Sequence, residues 1–212
     1  MRAWIAVGAL LCAWQTDARS VNGLELSSPQ APPIRLTVQP GFRYLGRVEF
    51  SLGSVARGER FVFADAKDSL LRRMVIVQFE GMIPSNPDIY HYDLRAGREM
   101  GSLRFVQNTF AFPGTQQMVE TPENEADHTN NFLLSQGFRI PAVWLVNRYV
   151  TIATADRKNE MIVFYMEGSD SVSLSDLYTG DEPTLLWQRL RAEVASRSSG
   201  TFTIEDLPGS GP

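Results

Sequence analysis

Residues 60–81 read RFVFADAKDSLLRRMVIVQFEG. Two apolar arms flank a polar tip, Ala66-Lys67-Asp68-Ser69, which is the pattern of a β-hairpin. Phe61 and Phe63 share one face of the first arm. In the second arm Val75, Val77 and Phe79 face one way, Met74 and Ile76 the other. Both faces stay apolar until Gln78 and Glu80, so this arm predicts a central strand covered on both sides, with a pocket rim at its polar end. Residues 148–168, RYVTIATADRKNEMIVFYMEG, are an imperfect echo. The two stretches share an Arg-aromatic-Val start, Asp and Lys at the tip, a Met followed by two aliphatics, and a closing Glu-Gly. Duplication would explain this, and so would two unrelated hairpins that are both central in a sheet.

The rest of the chain is placed around these hairpins. Phe42–Leu52 predicts a strand with a bulge at Gly46. Ile89–Leu94, IYHYDL, predicts a half-buried strand with Tyr90 and Tyr92 on one face and His91 and Asp93 on the other. Leu103 and Phe105 share one parity, Phe110 and Phe112 the other, which predicts a bulge or tight turn at Gln107-Asn108. Thr121-Pro122-Glu123 reads as the start of a polar helix running to Gln136, with Gly137 as its stop. Ser171–Tyr178 is expected to hold a short helix. A longer helix is expected after an Asp181 cap, with Pro183, Leu186, Trp187, Leu190 and Val194 as its apolar stripe. A short strand is expected at Phe202–Ile204.

The ends have a different composition. Residues 1–20, MRAWIAVGALLCAWQTDARS, carry Arg2 and then a short apolar run, with small residues before Ala18 and Ser20. This is the pattern of a cleaved signal peptide, cut near Ala18 or Ser20, and it predicts a periplasmic or secreted protein. The one cysteine, Cys12, would leave with it. The mature chain then has no thiol for disulfides or cysteine-ligated metal. Residues 21–40 contain Pro29, Pro32 and Pro33 and predict a flexible lead-in with an edge strand at Ile34–Gln39. Residues 41–205 are expected to form a single domain, and residues 206–212, rich in Pro, Gly and Ser at their end, a disordered tail.

The formal net charge is −4, which disfavours sequence-independent binding to nucleic acid. No stretch after residue 20 is long and apolar enough for a transmembrane helix. The architecture expected is α+β: a mainly antiparallel, curved β-sheet, a meander or half-barrel, packed against a C-terminal helix, with a second polar helix in the C-terminal half. A flat open sheet with helices on one face is the alternative.

Three constellations carry chemistry. Glu80, His91 and Asp93 would form an acid–base cluster if the strands bearing them pair, with His91 and Asp93 about 7 Å apart along one strand face. His128 shares the polar helix with Asn124, Glu125 and Asn131. Glu80 and Glu167, the two closing glutamates, would be equivalent if a twofold axis related the hairpins. Against each stands the plainer reading of a solvated strand or helix face. No cofactor and no metal site is expected. The preferred function is a non-enzymatic binding module for a small apolar ligand or an envelope protein partner, with Phe63, Gln78, Phe79, Tyr90 and Tyr92 as ligand-binding residues. The alternatives are a small hydrolase or isomerase using Glu80, His91 and Asp93, and an accessory protein acting only through protein contacts.

Overall fold

The computed structural model describes residues 19–207. Most of the expected signal segment and the last residues of the expected tail lie outside the described residues. The strands are β1 (Ser20–Asn22), β2 (Glu25–Ser28), β3 (Ile34–Val38), β4 (Arg43–Leu52), β5 (Ala56–Lys67), β6 (Leu70–Met82), β7 (Arg98–Met100), β8 (Leu103–Pro113), β9 (Val143–Ile152), β10 (Asn159–Ser169), β11 (Tyr178–Thr179), β12 (Glu182–Pro183) and β13 (Phe202–Asp206). The helices are α1 (Glu125–Ser135), α2 (Leu174–Leu177) and α3 (Leu185–Ser198). The class is α+β, dominated by antiparallel sheet.

The two hairpins form as expected and lie side by side. β5 and β6 turn through Asp68 and Ser69, whose φ values of 50° and 65° make the two-residue turn that suits the twist of paired strands. β9 and β10 form the second hairpin, and β6 pairs antiparallel with β10. The main sheet therefore runs β4-β5-β6-β10-β9-β8-β7, two meanders joined at their inner strands. β6 and β10 each have a strand on both sides, so their backbone donors and acceptors are satisfied inside the sheet.

Both faces of the sheet are covered. On one face Phe61, Phe63, Val75, Val77, Phe79, Met161 and Val163 join a cluster that includes Trp187 and Val194 of α3. On the other, Val62, Met74, Ile76, Trp144, Val146 and Met166 cluster with Leu133 of α1. The stripe expected on the last helix is present: Trp187 and Val194 are buried, with Leu186 and Leu190 packed against the same cluster. Gly46 sits at a register shift in β4 with φ 150°, and a Cβ there would stand 2.8 Å from the Phe132 ring of α1. Its lack of a side chain lets helix and strand approach.

Several expectations change. Residues 21–40, read as a flexible lead-in with an edge strand at Ile34–Gln39, hold that strand as β3 and also β1 and β2; the three join β13 in a second, four-stranded sheet in which β3 is an inner strand. Leu26, Ile34, Leu36 and Val38 alternate inward and belong to the core. The prolines that suggested disorder lie in the connection between β2 and β3, where no ladder hydrogen bond is lost. Asp206, expected in the tail, ends β13 and accepts from Ser102 N and Oγ at 3.0 and 2.7 Å. β8 runs without the expected bulge. Its parity never slips; its apolar face changes, because Gln107 and Thr109 bond to Asn147 on one side while Phe110 and Phe112 face the other. α1 begins three residues later than a Pro122 start, capped by Asn124, whose side chain accepts from Asp127 N. α3 begins after Thr184, because Glu182-Pro183 pairs with Tyr178-Thr179 instead.

The strand expected at Ile89–Leu94 is absent; residues 83–97 form an irregular segment. Its place beside β6 is taken by β10. Its alternation survives nonetheless, with Tyr90 and Tyr92 turned inward and His91 and Asp93 exposed.

Leu36 has no exposed surface and faces Leu26 and Ile204 across the small sheet. Leu36→Ala is expected to cost about 2–5 kcal/mol in urea unfolding. A loose lead-in would leave the midpoint unchanged.

Candidate functional site

Strand register assembles a polar cluster on the α1 face. Arg60 of β5 lies opposite Gln78 of β6, and Glu80 of β6 lies opposite Glu160 of β10. Four ionisable or amide side chains thus occupy two neighbouring rows of one sheet face. All are buried: Arg60 is 5%, Gln78 1% and Glu160 4% exposed.

Hydrogen bonds join them in a chain. Arg60 Nη1 donates to Glu125 O at 2.9 Å and Thr129 Oγ1 at 3.0 Å, both on α1. Arg60 Nε donates to Gln78 Oε1 at 2.6 Å, and Gln78 Nε2 donates to Glu80 Oε2 at 2.8 Å. The irregular segment closes the far end. Tyr90 OH donates to Glu80 Oε1 and Tyr92 OH to Glu160 Oε2, each at 2.7 Å. Phe50 and Phe164 hold their rings 5.7 and 5.3 Å from the Arg60 guanidinium carbon. Burying a charge is costly unless its donors and acceptors are met, and here the chain meets most of them.

The electrostatics follow from burial. Burial lowers the Arg60 pKa to about 10, against the pull of Glu125 and Glu80, so it stays charged at neutral pH. Burial raises Glu80 above the usual carboxylate range, only partly offset by the Tyr90 hydrogen bond. Glu160 is pushed up to about 7, first by burial and then by the Glu80 charge. The Tyr90 and Tyr92 hydroxyls are raised by burial and by the carboxylates they donate to, so both stay protonated donors. Two facing carboxyl groups in a dry site do not both ionise readily, and such a pair can take or give a proton near neutral pH.

Two cavities flank the cluster. A cleft of about 470 Å³ opens at the ends of β5, β6 and β10, where Glu80 and Glu160 meet Arg19, Arg57 and Phe50. A groove of about 410 Å³ lies between α1 and the sheet. Its walls include Ile76, Phe110, Trp144, Ile162, Phe164 and Met166, and Arg60 and Arg148 line it as well.

Of the residues singled out by sequence, Glu80, Gln78, Tyr90 and Tyr92 come together here. Phe63 and Phe79 are core residues of the opposite face; Phe79 lies beneath the Arg19 guanidinium at 3.8 Å and also lines the cleft with Glu80 and Glu160. His91 is exposed with no hydrogen bond among the described residues, and Asp93 is exposed and paired with Arg95 at 2.7 Å. Glu167 faces away from Glu80, on the α3 side, where it pairs with Arg197 at 2.7 Å and accepts from Tyr165 OH at 2.6 Å. The second arms of the two hairpins correspond at an odd offset relative to the β6–β10 register, so equivalent residues point to opposite faces and no twofold relates the glutamates. On α1, Asn124 is the cap, Asn131 brackets the Val119 backbone and Glu125 answers Arg60, which leaves no ligand cluster around His128.

The residues that sequence reasoning missed are Glu160, Arg60, Arg148 and the aromatic wall of the groove. Glu160 shares parity with Ile162, Phe164 and Met166, and that alternation was the available signal. Among the described residues, no group of three or more His, Cys, Asp or Glu could hold a metal ion, and no helix is long and apolar enough to cross a membrane.

No protein-family model, no curated protein and no solved structure matches the chain.

The raised Glu160 pKa has a definite sign in stability. Between its ordinary value of 4.5 and about 7 the folded protein holds a proton that the unfolded chain has released. Stability is therefore lost as pH rises through that window. Glu160→Gln keeps an acceptor for Tyr92 and removes the titration. It is expected to gain roughly 2–3 kcal/mol on wild type between pH 4.5 and pH 8. Parallel urea-unfolding profiles for the two proteins would show an ordinary carboxyl.

Proposed function

We propose that the protein is a non-enzymatic binding module whose ligand is a small, mainly apolar molecule held in the groove between α1 and the sheet. The carrying observation is the groove itself: about 410 Å³, walled on the sheet side mainly by aliphatic and aromatic side chains with Arg60 and Arg148, and on the helix side by Leu133 and polar groups such as Asp127 and Asn130. That is the size and chemistry of ordinary small-molecule sites. The residues proposed to meet the ligand are Phe110, Trp144, Ile162 and Phe164, in place of Phe63 and Phe79. Gln78, Tyr90 and Tyr92 support the polar end from behind. The reading includes a curl of the sheet, supported by register shifts at Tyr44/Gly46 and Asp65/Ala66, since bulges bend strands.

A second reading, a hydrolase or isomerase, draws on one observation. Glu80 and Glu160 face each other beside an open cleft with a carboxyl group near neutrality. In that reading Glu160 replaces His91 and Asp93 as the partner of Glu80.

Native mass spectrometry of protein purified without detergent is expected to show an added mass that denaturation removes. Ala126 is exposed on α1 and lines the groove. Ala126→Trp is expected to abolish both the added mass and the uptake of an apolar fluorescent probe, while unfolding stays unchanged. Undiminished uptake would place binding elsewhere.

Export is part of the same proposal, and Arg19 supports one of the two cleavage positions. Its guanidinium bonds Ser28 Oγ, Glu59 Oε1 and the carbonyls of Gln30 and Ala31, and lies over Phe79. A cut after Ser20 would remove it. Cleavage after Ala18 is expected, and N-terminal sequencing of exported protein should begin at Arg19.

A further inference from the structure

We infer that the occupant of this groove is a long-chain carboxylate whose head group is received by Arg148; the inference rests on the groove reading above and names its ligand class.

The strand registers order the groove wall. Trp144 and Phe112 form one row, Val146, Phe110 and Met166 the next, and Arg148, Asn108 and Phe164 the third. Along β9 the wall thus passes from Trp144 to Arg148, four residues or about 13 Å at the usual strand rise. It is apolar from the first row to the third and meets a cation there. The groove is chain-sized: at the ~30 Å³ that a water-sized group occupies in a liquid, it holds on the order of a dozen non-hydrogen groups.

The ions around it are unequally matched. Arg60 has Glu125 at 3.5 Å. Asp127 accepts from Asn124 Nδ2 at 2.8 Å and from its own helix start. Arg148 donates through Nε to Asn108 Oδ1 at 2.9 Å and has no carboxylate within ion-pair distance among the described residues. It is half-buried, and its two terminal amino groups make no hydrogen bond among the described residues. A planar guanidinium with both ends free is the side chain best suited to receive a carboxylate bidentately. An alcohol head group would use one of those donors and leave the charge unanswered. A quaternary ammonium would find no acceptor at Arg148, and of the two carboxylates on the groove wall Glu125 is already paired with Arg60 and Asp127 already accepts from Asn124.

The test titrates the exported protein with dodecanoate, dodecanol and dodecyltrimethylammonium at pH 8, below micelle formation, by calorimetry and Trp fluorescence. Dodecanoate is expected to bind about 10-fold more tightly than dodecanol, the ratio that one charge-assisted hydrogen-bond pair gives. Arg148→Gln is expected to erase that margin while holding dodecanol affinity within about 2-fold. Arg148→Lys should restore part of it. Equal binding of acid and alcohol, preference for the ammonium, or an undiminished margin in Arg148→Gln would overturn the carboxylate assignment and leave the groove intact. Loss of both acid and alcohol in Arg148→Gln would make Arg148 structural and also overturn it. If wild type binds none of the three chains, the groove reading fails and this inference with it.

Discussion

The antiparallel pairing of β6 with β10 is the constraint on which the rest depends. It joins two hairpins that are each locally determined and fixes their relative register. Side chains in a strand alternate with period two, so this one register decides which residues share a face. It sends Val75, Val77, Phe79, Met161 and Val163 to the α3 side. It sends Met74, Ile76 and Met166 to the α1 side and sets Glu80 against Glu160. A slip by one residue would separate the carboxyl groups and carry apolar side chains out of both clusters together. The acidic pair is therefore held by the whole hydrophobic pattern of the inner strands.

Given that register, the cluster around Arg60 is a consequence of where α1 ends its coverage. The helix lies mainly over β4, where Gly46 lets Phe132 approach. Beyond it the sheet face would be open to water. At one end Tyr90 and Tyr92 from residues 83–97 close the gap, and they do so with hydroxyls because carboxyl groups lie beneath. In the middle the helix and the residues after β8 cover the aromatic rows incompletely, leaving Trp144 and Ile162 buried and Phe110, Phe112 and Phe164 half-buried, and the groove is what remains. Arg60 ties helix, sheet and closing segment into one network, so changes at either end are felt at the carboxyl pair through hydrogen bonds of 2.6 to 3.0 Å.

Much of this was legible in the sequence, for physical reasons. The hairpins declare themselves through period-two alternation around polar tips, and the α3 stripe through helical spacing. The two tyrosines were assigned to the correct side although the strand supposed to carry them does not form, because alternation in an extended segment does not need a pairing partner. What the sequence concealed was non-local. Nothing near Glu80 says that its neighbour is Glu160 rather than His91 or Glu167; that depends on which strand occupies the edge of β6. In residues 21–40 the three prolines mask the strand at Glu25–Ser28, while the alternation of Ile34, Leu36 and Val38 is enough to mark β3. Phe63 and Phe79 suit a core and a cavity alike, and the sequence does not say that both sheet faces are buried at these positions.

The cluster is a poor device for stability alone. An ion pair or carboxyl pair withdrawn from water recovers its desolvation cost only in part, and apolar residues of similar size at such positions are often neutral or better. β6 had that option, since Met74 and Ile76, the preceding positions on the same face, are both apolar. Arg60, Gln78, Glu80 and Glu160 depart from the pattern together, in adjacent rows, with Glu80 and Glu160 lining the cleft and Arg60 the groove. Departures from local consistency concentrated in one place are the mark of a site rather than of a scaffold. The acids and the cation stand two rows apart on this face: Glu80 and Glu160 at the cleft, each accepting from a tyrosine hydroxyl, and Arg148 opposite Asn108 and Phe164.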